Sequence, residues 1–391
     1  MKLNVMVMFG GKSTEHEVSI ISAIQAIENM DREKYNIIPI YISKSGDFYY
    51  HKNLLFDIKN FRDIKKLLSK CKKVEIVRKN KKVYIEESTC FFKNLLVYID
   101  IAFPIVHGTN VEDGNLQGFL HTFDIPVVGC DVTSSAVGMD KYVMKQFLKS
   151  EGINVINAKR YDINDYKKID SLIQKIEKEF SYPLIIKPTN LGSSIGINKV
   201  KNRESLLNAI EVAFSFSNLI LVERAIVDMK EINCSVLGDR FEAISSTLEE
   251  PIGNGDILDF SDKYLSNKKG KTGKIKKVSY GNKNTGMASL SRKIPAEIDK
   301  NIEEEIKQTA IKVFKLLGCA GVSRIDFIMD TKKNEVYVNE INTIPGSLSF
   351  YLWETSGIKY IELIDRLIDI AKNNYRREKN LNFVFDSNIL K

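Results

Sequence analysis

The chain has 391 residues, of which 43% are hydrophobic and 28% are charged. This composition is typical of a globular protein and argues against collagen, coiled coil and disorder. At about 100–200 residues per domain, the length predicts two or three domains. The net charge of +8 comes largely from lysine-rich stretches at 59–82 and 268–283. No zinc-finger spacing or aromatic-rich RNA-binding signature accompanies it, so we predict no nucleic-acid partner.

The cysteines and the apolar runs indicate the compartment. The five cysteines are odd in number, scattered and free of CxxC spacing, which supports neither a disulfide framework nor a zinc site. The first apolar run is broken by Asn4 and is too short for a signal peptide. The longest run, 95–106, contains Asp100 and falls short of the ~20 residues that cross a bilayer. We therefore expect a soluble cytoplasmic protein with no membrane partner.

The amino-terminal region predicts a β-turn-α-β unit. Its elements are a buried strand over 3–9, a helix over 19–28 and a second strand over 35–42. Glu15 stands at the mouth of the helix. Capping is one role for such a residue, and binding a substrate ammonium beside an open strand end is another.

Polar residues follow the next predicted strand. The segment 71–87 predicts a small hairpin, and 95–106 predicts another buried strand that leads into HGTNVEDGNLQG. His107, Glu112 and Asp113 cluster there, where open α/β sheets bind ligands. A structural and a functional role fit His107 about equally well. A further helix opens near 136–141 and runs to about 151.

A glycine- and serine-rich loop comes after the strand predicted at 183–187. The loop, PTNLGSSIGI, contains Ser193 and Ser194 and returns through 198–200. Such a loop cradles phosphate with backbone N–H groups and hydroxyls, while Lys187 supplies a positive charge. The Gly-Lys-Ser/Thr of a Walker A loop is absent. A flexible hairpin tip is the alternative.

The strand predicted at 217–224 ends in Glu223 and Arg224, with Ile226 just beyond it and Glu231 at the start of the next strand. A linker at a strand end offers backbone groups to an adenine edge, and a nearby carboxylate can hold ribose hydroxyls. Surface charge is the simpler explanation for Glu223 and Glu231.

Two segments precede the carboxy-terminal hairpin. The polar, lysine-rich segment 256–286 is long enough to predict an active-site lid. Tyr264 within it suits either a latch or packing. Residues 298–317 then have helical periodicity.

The stretch 321–352 contains the largest group of candidate catalytic and metal-binding residues. Strand alternation over 323–329 puts Arg324 and Asp326 on one face. In the returning run 335–342, alternation places these residues together on one side: Val336, Val338, Glu340 and Asn342. With a turn of three residues, Lys332 to Asn334, the register pairs Asp326 with Glu340.

That register also pairs Arg324 with Asn342, with opposed Cβ atoms about 4.5–5.5 Å apart. Two carboxylates and an amide favour Mg²⁺, which usually completes its shell with phosphate oxygens. The hairpin therefore predicts a metal site and a triphosphate partner. A surface hairpin whose acids face water is the alternative.

Seven motifs occur in one order along the chain: GGKSTEHEVS, HGTNVEDGNLQG, MDK, IIKPTNLGSSIG, SDKYLS, RIDF and NEINTIPG. Together they resemble the D-alanine–D-alanine ligase family of the ATP-grasp superfamily over nearly the full chain. The resemblance implies an α/β fold of three-domain ATP-grasp architecture with a Rossmann-like (pre-ATP-grasp) amino-terminal domain. We place these domains at 1–138, 139–222 and 223–391, the last one carrying the metal site and the lid.

The resemblance also implies an activity, in which ATP phosphorylates a first D-alanine and the amine of a second attacks the acyl phosphate, for peptidoglycan synthesis. It implies Mg²⁺, as two ions with Mn²⁺ as a possible substitute, and a homodimer. The implied catalytic residues are Glu15 for the first ammonium, Ser193, Arg324 and Gly346 for the oxyanion, and Tyr264 in the lid. The implied ATP-binding residues are Lys141, Lys187, Ser194, Glu223, Arg224, Ile226, Glu231 and Lys263. The implied metal ligands are Asp326, Glu340 and Asn342.

The chain departs from the family pattern in the lysine-rich stretch 268–283, which looks longer than the usual lid, and at two shorter places. Val111 stands where the family usually has glycine, and 347–352 reads SLSFYL where Met-Thr-Ser-His-Ser-Leu is common. The second region resembles the D-alanine–D-serine branch, so D-serine is an alternative acceptor. Two other functions stay open: a ligase for another carboxylate and amine, and a nucleotide-binding regulator without turnover. The intact set of predicted metal ligands argues against the regulator.

Overall fold

The computed structural model describes residues 2–88, 94–193, 195–252, 291–383, 387 and 389. Within them the chain forms three larger β-sheets, of seven, four and four strands, and one two-stranded sheet. Strands and helices mix along the chain, as predicted for an α/β fold. No helix in the described residues is long and apolar enough to cross a membrane.

The seven-stranded sheet comes from the first 104 residues. Its strands are β1 (Leu3–Gly10), β2 (Tyr35–Ile42), β3 (Phe48–Tyr50), β4 (Lys72–Lys79), β5 (Lys82–Glu87), β6 (Leu95–Ile99) and β7 (Ile101–Pro104). Helices α1 (His16–Asn29), α2 (Ile64–Leu68) and α3 (Asn115–His121) and two 3₁₀ turns (Leu54–Phe56 and Ile58–Arg62) accompany it. β1 pairs in parallel with β2 and β7. The predicted β-turn-α-β unit and the hairpin at 71–87 are confirmed.

Strand β1, next to the β7 edge of the sheet, is buried on both faces. Val5, Val7 and Phe9 belong to one hydrophobic cluster with α1, and Met6 and Met8 belong to another. Alternation sends successive side chains to opposite faces, so a continuous apolar run fits a strand covered on both sides.

The prediction of a single strand over 95–106 is wrong. β6 and β7 flank Asp100 and lie at opposite edges of the sheet, so the sheet must curl to bring those edges close together. The Asp100 carboxylate accepts a hydrogen bond from the backbone N–H of Asn4 at 2.8 Å. This contact holds in place the point at which the chain passes from one edge strand of the sheet, β6, to the other, β7.

The predicted helix near 136–151 is two helices, α4 (Val132–Met139) and α5 (Lys141–Ser150). The Asp140 side chain accepts hydrogen bonds from the N–H groups of Tyr142 and Val143. An aspartate in extended conformation satisfies the free N–H groups of the next helix, so it ends one helix and starts another.

The second sheet is antiparallel, in the order β10-β9-β11-β8. Its strands are β8 (Ala158–Asp162), β9 (Leu184–Pro188), β10 (Asn198–Val200) and β11 (Leu219–Arg224), and its helices are α6 (Ile163–Tyr166), α7 (Ile169–Glu179) and α8 (Arg203–Phe214). Leu184, Ile186 and Val222 face α7 and α8 in a hydrophobic cluster. By alternation, Lys187 and Glu223 therefore lie on the opposite face.

The third sheet has the order β13-β12-β16-β17. Its strands are β12 (Met229–Gly238), β13 (Ala243–Ser245), β16 (Gly321–Asp330) and β17 (Glu335–Asn342); β14 (Glu250–Pro251) and β15 (Arg292–Lys293) form the two-stranded sheet, and α9 (Lys300–Leu316) precedes β16. Ile325 and Phe327 pack against α5 and α9. Arg324 and Asp326, at the alternate positions, face the other way.

The β16–β17 register matches the prediction at Asp326 and Arg324, although the turn differs from the predicted one. Asp326 pairs with Glu340 and Arg324 with Asn342. The turn has four residues, 331–334, where three were predicted, and Asn334 adopts the expected positive φ of 54°. A β-bulge at Asn339 absorbs the extra residue.

The same bulge overturns one predicted face. Val336 and Val338 belong to the hydrophobic cluster under the sheet, whereas Glu340 and Asn342 lie on the face of their partners Asp326 and Arg324. The extra residue at Asn339 shifts the alternation by one position. The four residues therefore do not share one side.

The last two helices in the described residues follow β17 and lead back to the first sheet. A 3₁₀ turn (Gly346–Ser349) leads into α10 (Phe350–Thr355) and α11 (Tyr360–Lys379), and α11 packs into the cluster that contains β1 and α1. The predicted domain division stays a prediction; its boundary at 138/139 falls at the end of α4 and that at 222/223 falls within β11.

We expect deletion of Asn339 to destabilise the protein more than deletion of Lys333 in the turn. Loss of Asn339 leaves a regular ladder in which Glu340 still pairs with Asp326, but it removes the Oδ1 that accepts from the buried Lys187 ammonium at 3.2 Å. Taking one partner from a buried donor costs about 1–3 kcal/mol. Thermal unfolding of the two deletion variants measures the difference, and equal unfolding temperatures would contradict this role of Asn339.

Candidate active site

The centre of the site is the pair of strands β16 and β17. Nε and Nη2 of Arg324 each donate to the Asp326 carboxylate at 2.7 Å, and Nδ2 of Asn342 donates to Oδ2 of Asp326 at 2.9 Å. Burial lowers the pKa of Arg324, but the Asp326 carboxylate outweighs burial and holds that pKa well above its ordinary value. A bidentate pair of this kind fixes both groups in a plane.

Lys141 approaches the hairpin from the first turn of α5. Its Nζ lies 3.2 Å from Oε2 of Glu340 and donates to the carbonyl of Leu191 at 2.8 Å. The side chain is buried. The helix start therefore joins the hairpin to the glycine- and serine-rich loop.

Lys187 reaches the same region from β9. Its Nζ lies 2.6 Å from Oε1 of Glu223 and donates to Oδ1 of Asn339 at 3.2 Å. Glu223 is buried, so its explanation as surface charge is wrong. Its other oxygen, Oε2, pairs with Lys145 at 2.7 Å. Burial raises the pKa of Glu223, but Lys145 and Lys187 outweigh burial and leave it below its ordinary value.

Glu15 closes the site from the first sheet. The hydroxyl of Ser193 donates to Oε1 of Glu15. A Cβ added at Gly192 would come within 2.8 Å of Oε2, and one added at Gly108 would come within 3.0 Å of it. Two glycines thus leave room for the carboxylate, and Ser193 holds it with a positive φ of 53°.

The loop after β7 connects the first sheet to the hairpin. Oε1 of Glu112 accepts from the N–H of Ile344 at 3.1 Å, and Oε2 accepts from the N–H of Gly108 at 3.1 Å. His107 Nδ1 lies 2.8 Å from the Ile344 carbonyl. Burial, reinforced by Glu15, raises the pKa of Glu112 to about 8.

The predicted adenine and ribose residues lie at the other end of the cleft. The Arg224 guanidinium donates to the Tyr337 hydroxyl at 2.9 Å, and Ile226 packs with Tyr337 and Ile156 in a small apolar cluster. Glu231 of β12 pairs with Ile328 of β16. Ile328 is two residues beyond Asp326, so Glu231 lies on the same face of the sheet as Asp326.

The turn after Gly346 has an unusual backbone. Ser347, Leu348 and Ser349 have φ between 51° and 54°. The Ser347 N–H donates to the Ser22 hydroxyl at 2.9 Å, and the Ser347 hydroxyl donates to Gln25 at 2.6 Å. Helix α1 therefore holds the turn in its left-handed form.

Next to this turn lies a cluster that sequence reasoning missed. The Tyr351 hydroxyl donates to Oε1 of Glu249 at 3.0 Å, and Nη1 of Arg292 lies 2.7 Å from Oε2 of Glu249. The Arg292 guanidinium also sits 4.0 Å from the centre of the Tyr351 ring. Asn233, which pairs with Asp326 in the sheet, donates to Glu249 at 2.9 Å.

Lys145 and Asn339 were also missed. The sequence spacing could have indicated that Lys145 is buried. It forms the buried i, i+3, i+4, i+7 stripe of α5 together with Lys141, Met144 and Leu148. No signal marks Asn339 as a bulge residue. Ser194, Lys263, Tyr264 and the lid at 256–286 lie outside the described residues.

The residues fit a metal ion by donor type. Asp326, Glu340 and Asn342 bring two carboxylates and an amide to neighbouring register positions, and oxygen donors suit Mg²⁺. Within the described chain, no cluster of three or more His, Cys, Asp or Glu side chains could hold a metal. The predicted set contains only two such residues, so the amide is needed for a third ligand.

Comparison with known proteins identifies the family. A model described as D-ala D-ala ligase N-terminus matches residues 4–130. A model described as D-ala D-ala ligase C-terminus matches 147–279 and 271–369. The chain belongs to the D-alanine–D-alanine ligase family. The predicted resemblance and the ATP-grasp α/β fold with an amino-terminal domain are confirmed.

Individual members of this ligase family are similar over their full length. The D-alanine–D-alanine ligase of Thermosipho melanesiensis is 41% identical, over 100% of this chain and 98% of that protein. The one from Caldicellulosiruptor bescii is 40% identical over 98% of each. Among solved structures, the Coxiella burnetii D-alanine-D-alanine ligase has a TM-score of 0.77, 28% identity and coverage of 97% and 96%. The VanG D-Ala:D-Ser ligase of Enterococcus faecalis has a TM-score of 0.75, 32% identity and coverage of 95% and 100%.

We expect the contribution of Glu112 to the stability of this ligase to decrease as pH rises. Its pKa rises from 4.5 in the unfolded chain to about 8 in the folded protein. Protonated Glu112 thus contributes stability that is present in full below the lower value and is lost as pH rises through the higher one. Glu112→Gln, neutral at every pH, lacks this loss.

Thermal unfolding at about pH 5.5 and 8.5 measures the effect. The unfolding temperature of the wild type minus that of Glu112→Gln should be smaller at the higher pH. A difference that stays constant with pH would contradict the raised pKa.

Proposed function

We propose that this chain joins two molecules of D-alanine at the expense of ATP, giving D-alanyl-D-alanine, ADP and phosphate. Membership of the ligase family supports an ATP-dependent enzyme. One structural observation carries the proposal: Lys187 of the second sheet and Lys141 of α5 lie together with Arg324, Asp326 and Glu340 of the third sheet. Three cations and two potential metal ligands suit a triphosphate and a reacting carboxylate.

Asp326, Glu340 and Asn342 would hold Mg²⁺, as two ions, with Mn²⁺ as a substitute. Bound metal supplies positive charge to the phosphate oxygens of ATP. Asp326 and Glu340 now neutralise Arg324 and Lys141, so a bound metal would compete with these two cations for the same carboxylates.

Lys141 and Lys187 bind the phosphates in this proposal, with Ser194 and Lys263. The strand end at Glu223 and Arg224, continuing to Ile226, offers backbone groups to adenine, and Glu231 accepts from the ribose hydroxyls. The apolar cluster of Ile226, Ile156 and Tyr337 supports this arrangement because an adenine ring needs a flat apolar wall.

The first D-alanine places its ammonium on Glu15. The carboxylate is buried, held by Ser193 and bordered by Gly108 and Gly192. A buried anion with small neighbours suits a small cationic group. Ser193 helps to position the same substrate.

The first substrate's carboxylate takes the terminal phosphoryl group of ATP, and the amine of the second D-alanine then attacks the acyl carbon. Arg324 and the N–H of Gly346 stabilise the oxyanion that forms on that carbon. The attacking nitrogen loses a proton, the acyl–oxygen bond to phosphate breaks, and phosphate leaves. Tyr264, in the lid, closes the site against water, which would hydrolyse the acyl phosphate.

A second acceptor, D-serine, is supported by the similarity to the VanG D-Ala:D-Ser ligase and by the SLSFYL turn. We further propose a cytoplasmic homodimer of three domains, divided as the sequence predicts, that supplies the dipeptide for peptidoglycan. Small-molecule substrates follow from the family.

The purified protein should release ADP and phosphate when D-alanine is present, and only the background amount with L-alanine. Steady-state ADP release with D-alanine alone, and then with D-alanine plus D-serine or D-lactate, tests the function and the acceptor together. ADP release that depends on L-amino acids would sink the proposal. ATP binding with no turnover on any pair of amino acids would instead favour a regulator.

Replacing Arg324 with Ala should lower kcat by about 10²–10³, the cost of one oxyanion donor. The Kd for ATP should change far less, because Arg324 stabilises charge that develops on the acyl group. Arg324→Lys keeps the positive charge and serves as the matched control. Equal losses in turnover and ATP affinity would contradict the oxyanion role.

A further inference from the structure

Lys145 is a buried lysine that the proposed reaction does not use. It lies on α5, between Met144 and Leu148, which pack in the hydrophobic cluster under the third sheet. Its side chain is 0% exposed. A lysine is almost never fully buried unless it is paired, so its partner decides what it does.

That partner is the residue that also holds Lys187. Oε2 of Glu223 lies 2.7 Å from Nζ of Lys145, and Oε1 lies 2.6 Å from Nζ of Lys187. The side chain of Glu223 is 2% exposed and that of Lys187 is 4% exposed. Two ammonium groups thus share one carboxylate, which leaves one net positive charge in a nearly dry site.

The arrangement determines where the Lys187 ammonium can lie. Lys187 is held by Oε1 of Glu223 on one side and by Oδ1 of Asn339 on the other. Oε1 can keep its place because Lys145 holds the opposite oxygen. Without Lys145, both carboxylate oxygens are available to Lys187, and the net charge of the cluster falls from plus one to zero.

We propose that Lys145 is a positioning residue for ATP: through Glu223 it holds the Lys187 ammonium toward the triphosphate and preserves the net positive charge of the cleft. This inference rests on the proposed function, in which Lys187 binds phosphate. Lys145 itself does not touch ATP. Its effect is therefore specific to nucleotide affinity and passes through the Glu223 carboxylate.

The pH dependence of the cluster supports a dedicated role. The pKa of Lys145 is lowered to about 8, chiefly by burial; Glu223 and Glu340 oppose this change, and Lys187 adds to it. These three groups face Lys145 from β11, β9 and β17. As pH rises through about 8, Lys145 loses its charge and the affinity for ATP should fall.

The test compares Lys145→Met with Lys149→Met. Lys149 lies one turn further along α5, is exposed and donates to Asn157, so it is a matched control outside the cluster. Calorimetry of ATP with Mg²⁺, without D-alanine, gives the Kd, and steady-state assays give KM and kcat. We expect Lys145→Met to raise Kd and KM for ATP about ten-fold, with the KM for D-alanine within about two-fold of the wild type.

A pH series separates positioning from a merely structural role. Between about pH 7 and 9 the Kd for ATP should rise in the wild type and in Lys149→Met more than in Lys145→Met, which has no titrating group there. A Kd for ATP within two-fold of the wild type in Lys145→Met, or the same pH dependence in all three proteins, would overturn the inference.

A double variant protects the test against misfolding. In Lys145→Met, Glu223 and Lys187 still form a pair, whereas Lys145→Met with Glu223→Gln removes both other buried charges. Against Glu223→Gln alone, the double variant should change the Kd for ATP less than about two-fold, because without the Glu223 carboxylate the buried Lys145 amine is neutral and has no anion through which to act on Lys187. A ten-fold change would overturn that route.

The same data separate this inference from the proposed function. Wild-type protein that binds ATP but shows no turnover with D-amino acids would remove the ligase function and leave the ATP-binding comparison intact. Wild-type turnover with an unchanged Kd in Lys145→Met would remove only the inference.

Discussion

Among the described residues, each cation that the proposed reaction uses is paired with a carboxylate. The pairs are Lys141 with Glu340, Lys187 with Glu223 and Arg324 with Asp326. Burying a charge without a partner would cost several kcal/mol, so these pairs allow cations to persist in a cleft with little water. Water would otherwise weaken their attraction for phosphate by screening it. The rest of the site depends on this balance of buried charge.

The pairs also explain how three separate sheets make one site. Lys187 of the second sheet contacts Asn339 of the third, and Lys141 of α5 contacts Glu340 of the third. The first sheet joins through Ser193 and Glu15 and through Glu112, which accepts from the N–H of Ile344. Each contact combines charge or hydrogen bonding with long separation in sequence. A shift of one sheet would therefore disturb the proposed ATP site and the proposed amino-acid site together.

Period-two patterns predicted the hairpin, whereas contacts between distant residues escaped the sequence. Arg-x-Asp and Glu-x-Asn each place two polar groups on one face, and this sufficed to pair Asp326 with Glu340. The predicted pairing was correct although the predicted turn was one residue too short, because the bulge at Asn339 compensated for the extra turn residue. No residue type marks such a bulge, so the predicted face of Val338 was incorrect. The buried stripe of α5 shows that Lys145 is unusual, but its partner lies 78 residues away. Propensity and spacing are local, so they cannot supply that pairing.

In the proposed function, acceptor choice would depend on contacts of the same distant kind. Three consecutive non-glycine residues from Ser347 adopt positive φ, a conformation that costs roughly 1 kcal/mol or more per residue. Hydrogen bonds from Ser347 to Ser22 and Gln25 of α1 offset that cost, and Glu249 fixes Tyr351 just beyond the turn. Contacts with α1 and with the strand region around Glu249 therefore determine the conformation of the SLSFYL segment. The segment resembles the D-alanine–D-serine branch in sequence only, so in the proposed function the supporting helix as well as the turn would determine which acceptor fits.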